Sequence, residues 1–190
     1  MLETLATIDA RVLVWILSLP HPEWLDWLMA AASAVAHHAG IWLALGVVLA
    51  AWGRLSWMAY WQVVLAIVLV FLAVDVVLKP AIGRARPSDA NPTIAALTDA
   101  EPPANPAMPS GHAATAVAGA YALARVLPTA RIVLWLLAAL IAVSRLYLGV
   151  HYPLDVVAGT LVGSACAALS VGGTVWYSRG PAGRISQEPR

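Results

Sequence analysis

Three short polar segments of this 190-residue chain hold the side chains that could do chemistry, and each lies against a long apolar run. The first reads Lys79-Pro-Ala-Ile-Gly-Arg-Ala-Arg86-Pro87. A lysine offers an anion a point charge and an arginine offers it a bidentate fork, so Lys79 and Arg86 suit a shared phosphate. Asp75 stands four residues before Lys79, on the same helix face, where it orients the lysine or simply pairs with it. The second segment is Pro109-Ser-Gly-His112. Ser110 is a good N-cap, and the free amides behind it, that of Gly111 included, make a helix start that attracts anions. His112, in the first turn, is placed to give a proton to a leaving oxygen. The third is Ser144-Arg145-Leu-Tyr-Leu-Gly-Val-His151-Tyr-Pro-Leu-Asp155. Pro153 suits the first helical position with Tyr152 as its cap. Asp155 then falls in the first turn and can accept from one nitrogen of His151 while the other faces a substrate. Arg145 adds a further cation. Each segment alone has a plainer reading: snorkelling basic residues, a capped helix with an interfacial histidine, a helix-start hydrogen bond.

Apolar elements must carry these segments. Sixty-one per cent of residues are hydrophobic, 11% are charged and the mean hydropathy is +0.78, too apolar for one shared core in water. The expected fold class is all-α: a polytopic membrane helical bundle of about five transmembrane helices plus an N-terminal interfacial helix. Residues 5–19 are short for a span and carry Asp9 and Arg11, hence the interfacial assignment; a crossing there makes six. The expected spans are 23–52 (with a break at His37-His38-Ala39-Gly40), 55–78, 113–127, 132–143 with its flanks, and 153–177. Trp57, Tyr60 and Trp61 stand where an aromatic belt would be. Residues 80–110, with Pro80, Pro87, Pro92, Pro102, Pro103, Pro106 and Pro109, read as an irregular loop. Residues 1–177 form one membrane-embedded domain and 178–190 a polar cytoplasmic tail. With this parity, the second span ends and the third begins on one face, where the fourth ends and the fifth begins. All three segments can therefore meet. Arg54, Arg125, Arg131, Arg179, Arg184 and Arg190 gather on the opposite side, which the positive-inside rule makes cytoplasmic.

Other features narrow the function class. A net charge of +1 gives no case for nucleic acid. The single cysteine, Cys166, allows no intrachain disulfide and no thiolate metal site. The N-terminus has neither a basic leader nor a clear cleavage site, so no removable signal peptide is expected. His37 and His38 read as a helix break or interface, and Arg84 as an assisting or a solvated charge. Gly159-x-x-x-Gly163 reads as a small-residue face for packing spans, weakly as a partner surface.

Taken together, Lys-x6-Arg-Pro, Pro-Ser-Gly-His and Ser-Arg-x5-His-x3-Asp resemble the three-part signature of the type 2 phosphatidic acid phosphatase superfamily, across residues 79–155. The resemblance implies His151 as a nucleophile forming a phosphohistidine, Asp155 orienting it, and His112 as the general acid. It implies Lys79, Arg86, Ser110, Gly111 and Arg145 as the phosphate cradle, with no metal and no cofactor. The implied enzyme is a metal-independent lipid phosphatase or diphosphatase of the cytoplasmic membrane, its site on the extracytoplasmic face and its partners the bilayer and a lipid phosphate. The short N-terminal helix and small loops resemble members acting on undecaprenyl diphosphate; phosphatidylglycerophosphate or phosphatidate is the next substrate expected. A non-enzymatic lipid phosphate carrier is the rival of another class, since a cationic mouth would bind phospholipid headgroups too; the His151–Asp155 pair, which binding alone does not require, discriminates against it. A serine hydrolase built on Ser110 or Ser144 lacks a Gly-x-Ser-x-Gly elbow.

Overall fold

A computed structural model of the chain describes residues 2–36, 39–98 and 103–179, with side chains from 3 to 172. All regular structure among them is helical. Helix α1 is Leu2–Leu17, α2 Glu23–Val35, α3 Gly40–Ala51 and α4 Trp57–Phe71. A π-helical segment, Leu72–Leu78, continues α4 into the one-turn α5, Lys79–Ile82. Then come α6 Pro87–Ala90, α7 Pro92–Ala95, α8 Gly111–Val126, α9 Arg131–Tyr147 and α10 Pro153–Arg179. His37, His38 and the tail beyond Arg179 lie outside the described residues.

Helix α8 is the axis of the bundle. Alanine and glycine dominate it, and Ala113, Ala114, Ala116, Ala118 and Ala120 are buried around its whole circumference. Small side chains let neighbours approach closely, and α8 packs chiefly against α10, α9 and α4. On α10 the approach needs glycine. A Cβ on Gly159 would stand 2.4 Å from the Ser110 carbonyl oxygen, and one on Gly163 would stand 2.2 Å from that of Ala114. The small-residue face is thus spent inside the chain. On the other flank, fully buried Trp42 of α3 lies across Gly119. Trp42, Val63, Leu123 and Ile141 anchor the largest apolar cluster.

The outer surface is apolar where a soluble protein's would be polar. Trp15, Trp24, Trp27, Trp52, Trp61, Ile132, Leu136, Leu161 and Leu169 are all exposed, too much apolar surface for water. By length and hydropathy, the run from Trp57 and helix α10 can each cross a bilayer. The pair α2 and α3, bent by 67°, makes a third if it is one span. Helices α8 and α9 have 16 and 17 residues. At 1.5 Å per residue they reach about 24–26 Å, short of a hydrocarbon core of about 30 Å.

Two elements differ from expectation. The proline-rich stretch between the second and third expected spans is not wholly irregular, because Pro87 and Pro92 each start a helical turn, α6 and α7; proline's fixed φ suits that first position. Helix α1 turns Asp9 inward, while Glu3 and Arg11 stay exposed. Leu5, Ile8, Val12 and Trp15 are exposed, whereas Asp9, Leu13 and Leu17 are buried, the two leucines against Ile94 and Tyr152.

Candidate active site

The ends of four helical runs build the site. The π segment delivers Asp75 near its middle and ends at Lys79, whose amide reaches back to the Val74 carbonyl. The ammonium of Lys79 donates to Asp75 Oδ1 at 2.6 Å and is almost fully buried. Gly83, at φ +61°, ends α5 in the left-handed conformation that glycine adopts without strain. The chain is thereby released to carry Arg84 and Arg86 across the bundle end.

At the start of α8, Ser110 is fully buried and caps the helix, its Oγ accepting from the Ala113 amide at 3.4 Å. Its own amide donates to the Asp155 carbonyl at 2.9 Å, joining the starts of α8 and α10. Gly111 follows, with room for a Cβ only 3.7 Å from Lys79 Nζ.

Between α9 and α10 the chain reverses at Gly149, φ +66°. The amides of Gly149 and Val150 donate to the carbonyls of Leu146 and Arg145, closing the α9 terminus. This turn presents the Val150 carbonyl and the His151 ring to Arg86. Asp155, the third residue of α10, accepts from the Tyr152 amide through Oδ2 at 2.9 Å, the carboxylate half of a capping box. The same oxygen faces His151 Nδ1 at 3.5 Å, a loose pairing, and His151 and Asp155 are buried.

Hydrogen-bond chemistry assigns the histidine tautomer. Arg86 NH1 lies 3.0 Å from His151 Nε2, and a guanidinium can only donate. Nε2 therefore carries the lone pair, and Nδ1 carries the proton that faces Asp155. Burial first, then the positive fields of Arg86 and Arg145, push the His151 pKa down to about 4, against the opposing pull of Asp155. A neutral imidazole with its lone pair toward the cations is a poised nucleophile.

These groups surround one cavity of about 640 Å³. Lys79, Arg86, Gly111, His112, Arg145 and His151 line its polar side, with Asp75 and Asn105; Ala36, Ala39, Ile67, Val68 and Phe71 line its apolar side. Ser110 and Asp155 stand behind that wall. Among the described residues, neither Arg86 nor Arg145 has a carboxylate partner. Arg86 donates to the Asn105 carbonyl (Nε, 3.0 Å), the Asn105 side chain (NH2, 2.6 Å) and the Val150 carbonyl (NH1, 2.8 Å). Arg145 NH1 donates to Ser33 Oγ of α2, and its buried Nε has no protein partner. Two buried, unneutralised guanidiniums beside a lysine and a helix N-terminus form a receptor for a multivalent anion.

The structure thus brings Lys79, Arg86, Gly111, His112, Arg145 and His151 to one cavity. Ser144 is excluded from it, buried with its hydroxyl on the Ile141 carbonyl. Sequence reasoning missed Asn105, which holds the Arg86 fork, and the inward role of Asp9. The reading of Arg84 as a solvated charge is overturned. Its NH1 and NH2 bind Asp155 Oδ1 and Asp9 Oδ2, each at 2.6 Å, over the Tyr152 ring. A buried carboxylate in an apolar helix was the available signal for Asp9. Among the described residues no group of three or more His, Cys, Asp or Glu side chains could hold a metal ion.

Comparison with known proteins gives the family and the fold. The family model of the PAP2 superfamily matches residues 59–178. An undecaprenyl-diphosphatase of Sulfolobus acidocaldarius is 42% identical over 86 residues, 45% of this chain and 40% of that protein. A decaprenylphosphoryl-5-phosphoribose phosphatase of Mycobacterium tuberculosis is 37% identical over 117 residues, 60% of this chain and 62% of that protein. The aligned stretches thus span less than two thirds of either relative. Among solved structures, a PAP2-type phosphatidylglycerolphosphate phosphatase from Bacillus subtilis superposes with a TM-score of 0.71 at 25% identity, covering 93% of this chain and 89% of that one. Aquifex aeolicus LpxE gives 0.65 at 26% identity, covering 85% and 93%.

Proposed function

This chain belongs to the PAP2 superfamily, and on that premise we propose that it is a membrane lipid phosphatase that works through a phosphohistidine. One observation carries the reading: the Nε2 lone pair of His151 faces the guanidinium of Arg86 in the cavity, with Asp155 behind the other nitrogen. A substrate phosphoryl group inserts between them, taking over hydrogen bonds from Arg86, the free Nε of Arg145, Lys79 and the Gly111 amide. Nε2 attacks phosphorus, the bond to the leaving oxygen breaks, and His112 gives that oxygen its proton. The phosphoimidazolium carries a positive charge, which Asp155 stabilises across Nδ1–H. Water then attacks phosphorus, His112 takes a proton back, the phosphorus–nitrogen bond breaks and neutral His151 returns. Charge stabilisation and positioning supply most of the catalysis in phosphoryl transfer.

The substrate we favour is a polyprenyl lipid carrying a terminal phosphate, undecaprenyl diphosphate first. Two curated relatives are named for polyprenyl substrates, and the apolar cavity side at Ile67, Val68 and Phe71 suits the first units of such a tail. Phosphatidylglycerophosphate or phosphatidate is the second reading, favoured by the similarity to the Bacillus subtilis enzyme. In the membrane, the bent α2–α3 pair, α4 with its π segment, α8, α9 and α10 form five spans. Arg54, Arg125, Arg131 and Arg179 stand at the ends away from the site, and the positive-inside rule makes this the support for reading the cavity as extracytoplasmic.

The deciding experiment is phosphate release by the detergent-purified protein with EDTA present, from undecaprenyl diphosphate and glycerolipid phosphates. Release abolished by His151→Ala supports the mechanism, and the preferred substrate names the lipid class. An equally active His151→Ala protein removes it. Bound lipid without release from any substrate favours the carrier.

A further inference from the structure

The phosphohistidine reading uses His151 and Asp155 but leaves Asp9 and Arg84 without a role, although both are built into the same cluster. We propose that Asp9 of α1 is a positioning residue for the His151–Asp155 pair, acting through Arg84; the proposal rests on the phosphohistidine reading.

The geometry is a chain of four groups. His151 Nδ1 faces Asp155 Oδ2 at 3.5 Å, Asp155 Oδ1 accepts from Arg84 NH1 at 2.6 Å, and Arg84 NH2 donates to Asp9 Oδ2 at 2.6 Å. The second oxygen of Asp9 accepts from the Leu154 amide at 2.9 Å, in the first turn of α10. Asp9 is 3% exposed and Asp155 is fully buried, so these charges interact with little screening. Burying a carboxylate in an apolar helix costs several kcal/mol unless it is paired. A span or interfacial helix needs no such group for packing, which Leu13 and Leu17 already supply.

Charge explains what Asp9 adds. A guanidinium bound to Asp155 alone would cancel its charge and leave little to stabilise the imidazolium that forms on His151. Sharing Arg84 between two carboxylates leaves the cluster with a net negative charge beside Nδ1–H. Asp9 also ties two elements together: one oxygen holds the Arg84 guanidinium, the other the Leu154 amide next to Asp155. Orientation and charge of Asp155 are thereby set from α1, on a residue 146 positions away in sequence.

The test is a steady-state comparison on farnesyl diphosphate and dioctanoyl phosphatidate in detergent, with melting temperature measured in parallel. Asp9→Asn keeps the shape and an acceptor for the Leu154 amide but removes the charge. It is expected to lower kcat about 10- to 100-fold, as loss of an orienting partner one side chain away does, with KM within about twofold. Arg84→Lys, whose single ammonium cannot span two carboxylates, is expected to match it. The double variant is expected to fall no further than the weaker single, since both act on one linkage. Glu3→Gln, exposed on the same helix, stays at wild-type kcat. An Asp9→Asn protein with normal kcat and only a lowered melting temperature, or with only a raised KM, overturns the proposal. Should that variant not accumulate, a wild-type kcat in Arg84→Lys overturns it equally. His151→Ala separates the two levels: if it remains active the phosphohistidine reading fails, and if it is dead while Asp9→Asn is normal, only this inference fails.

Discussion

At the scale of single residues, the site holds one imidazole neutral and two guanidiniums without carboxylate partners among the described residues. The His151 pKa, pushed down to about 4 mainly by burial, has a definite sign of consequence. The unfolded chain, with an ordinary value of about 6.5, takes up a proton before the folded chain does. The stability that neutral His151 contributes is therefore intact above about pH 6.5 and is lost as pH falls toward 4. Melting in detergent should drop across that window, and less so in His151→Gln. In the same way, the acid limb of kcat/KM attributable to the nucleophile is expected below about pH 5; phosphoenzyme formation in the wild-type protein that fell away already near pH 6.5 would contradict the buried, neutral histidine. Arg86 makes a second prediction. Its fork is held on Asn105 and Val150, a geometry an ammonium cannot copy, so Arg86→Lys should lower kcat/KM by about 100-fold or more. That Lys79, Arg86, Arg145 and His151 would meet in one cavity was legible from the parity of the apolar runs and from three segments fitting one signature, since each segment alone had a plainer reading. Asn105 was not, because a neutral amide in a proline-rich stretch carries no sign of the arginine it will meet.

At the scale of elements, distances between segments are set by helix packing rather than by the loops. Gly159 and Gly163 let α10 lie directly on the backbone of α8, where the Ser110 amide meets the Asp155 carbonyl. Gly159→Ala puts a methyl group against the Ser110 carbonyl and should cost about 1–3 kcal/mol by overpacking. Because it also separates two halves of the site, kcat should fall together with the melting temperature measured in the same preparation. Gly111→Ala differs: its Cβ meets only ordinary contacts, near Lys79 Nζ at 3.7 Å, so the fold should hold while KM rises as the methyl group enters the cradle. Helix starts at Ser110 and Pro153 were readable, since caps and N1 prolines leave a local signature. The π segment at Leu72–Leu78 was not. Its wider turn reads in sequence as ordinary apolar helix, and only the backbone register reveals it.

For the molecule as a whole, the outward tryptophans and aliphatics demand lipid, and the arginine distribution proposes which way the bundle faces. Cysteine labelling in a Cys166→Ala background can test that orientation. Ala90→Cys, on the site side, should react with a membrane-impermeant maleimide in intact cells, and Thr129→Cys, in the α8–α9 turn, only after permeabilisation; the reverse pattern would turn the protein over. The all-helical class was legible from hydropathy, whereas span number was not, because α8, buried among its neighbours, and α9, with an exposed apolar face, have 16 and 17 residues, fewer than the roughly 20 by which a span is read. The inward carboxylate of α1 has one more consequence, for biogenesis. Helix α1 leaves the ribosome before Arg84 and Leu154 are made, yet Asp9 cannot be seated until both exist to receive it. Burying an aspartate in the bilayer without partners costs about 3 kcal/mol, so α1 is expected to stay at the surface until its partners are in place. Helix α1 is thus made before its partners but can dock only after them, and the proposed catalytic cluster is complete only once Asp9, Arg84 and the start of α10 are all in place.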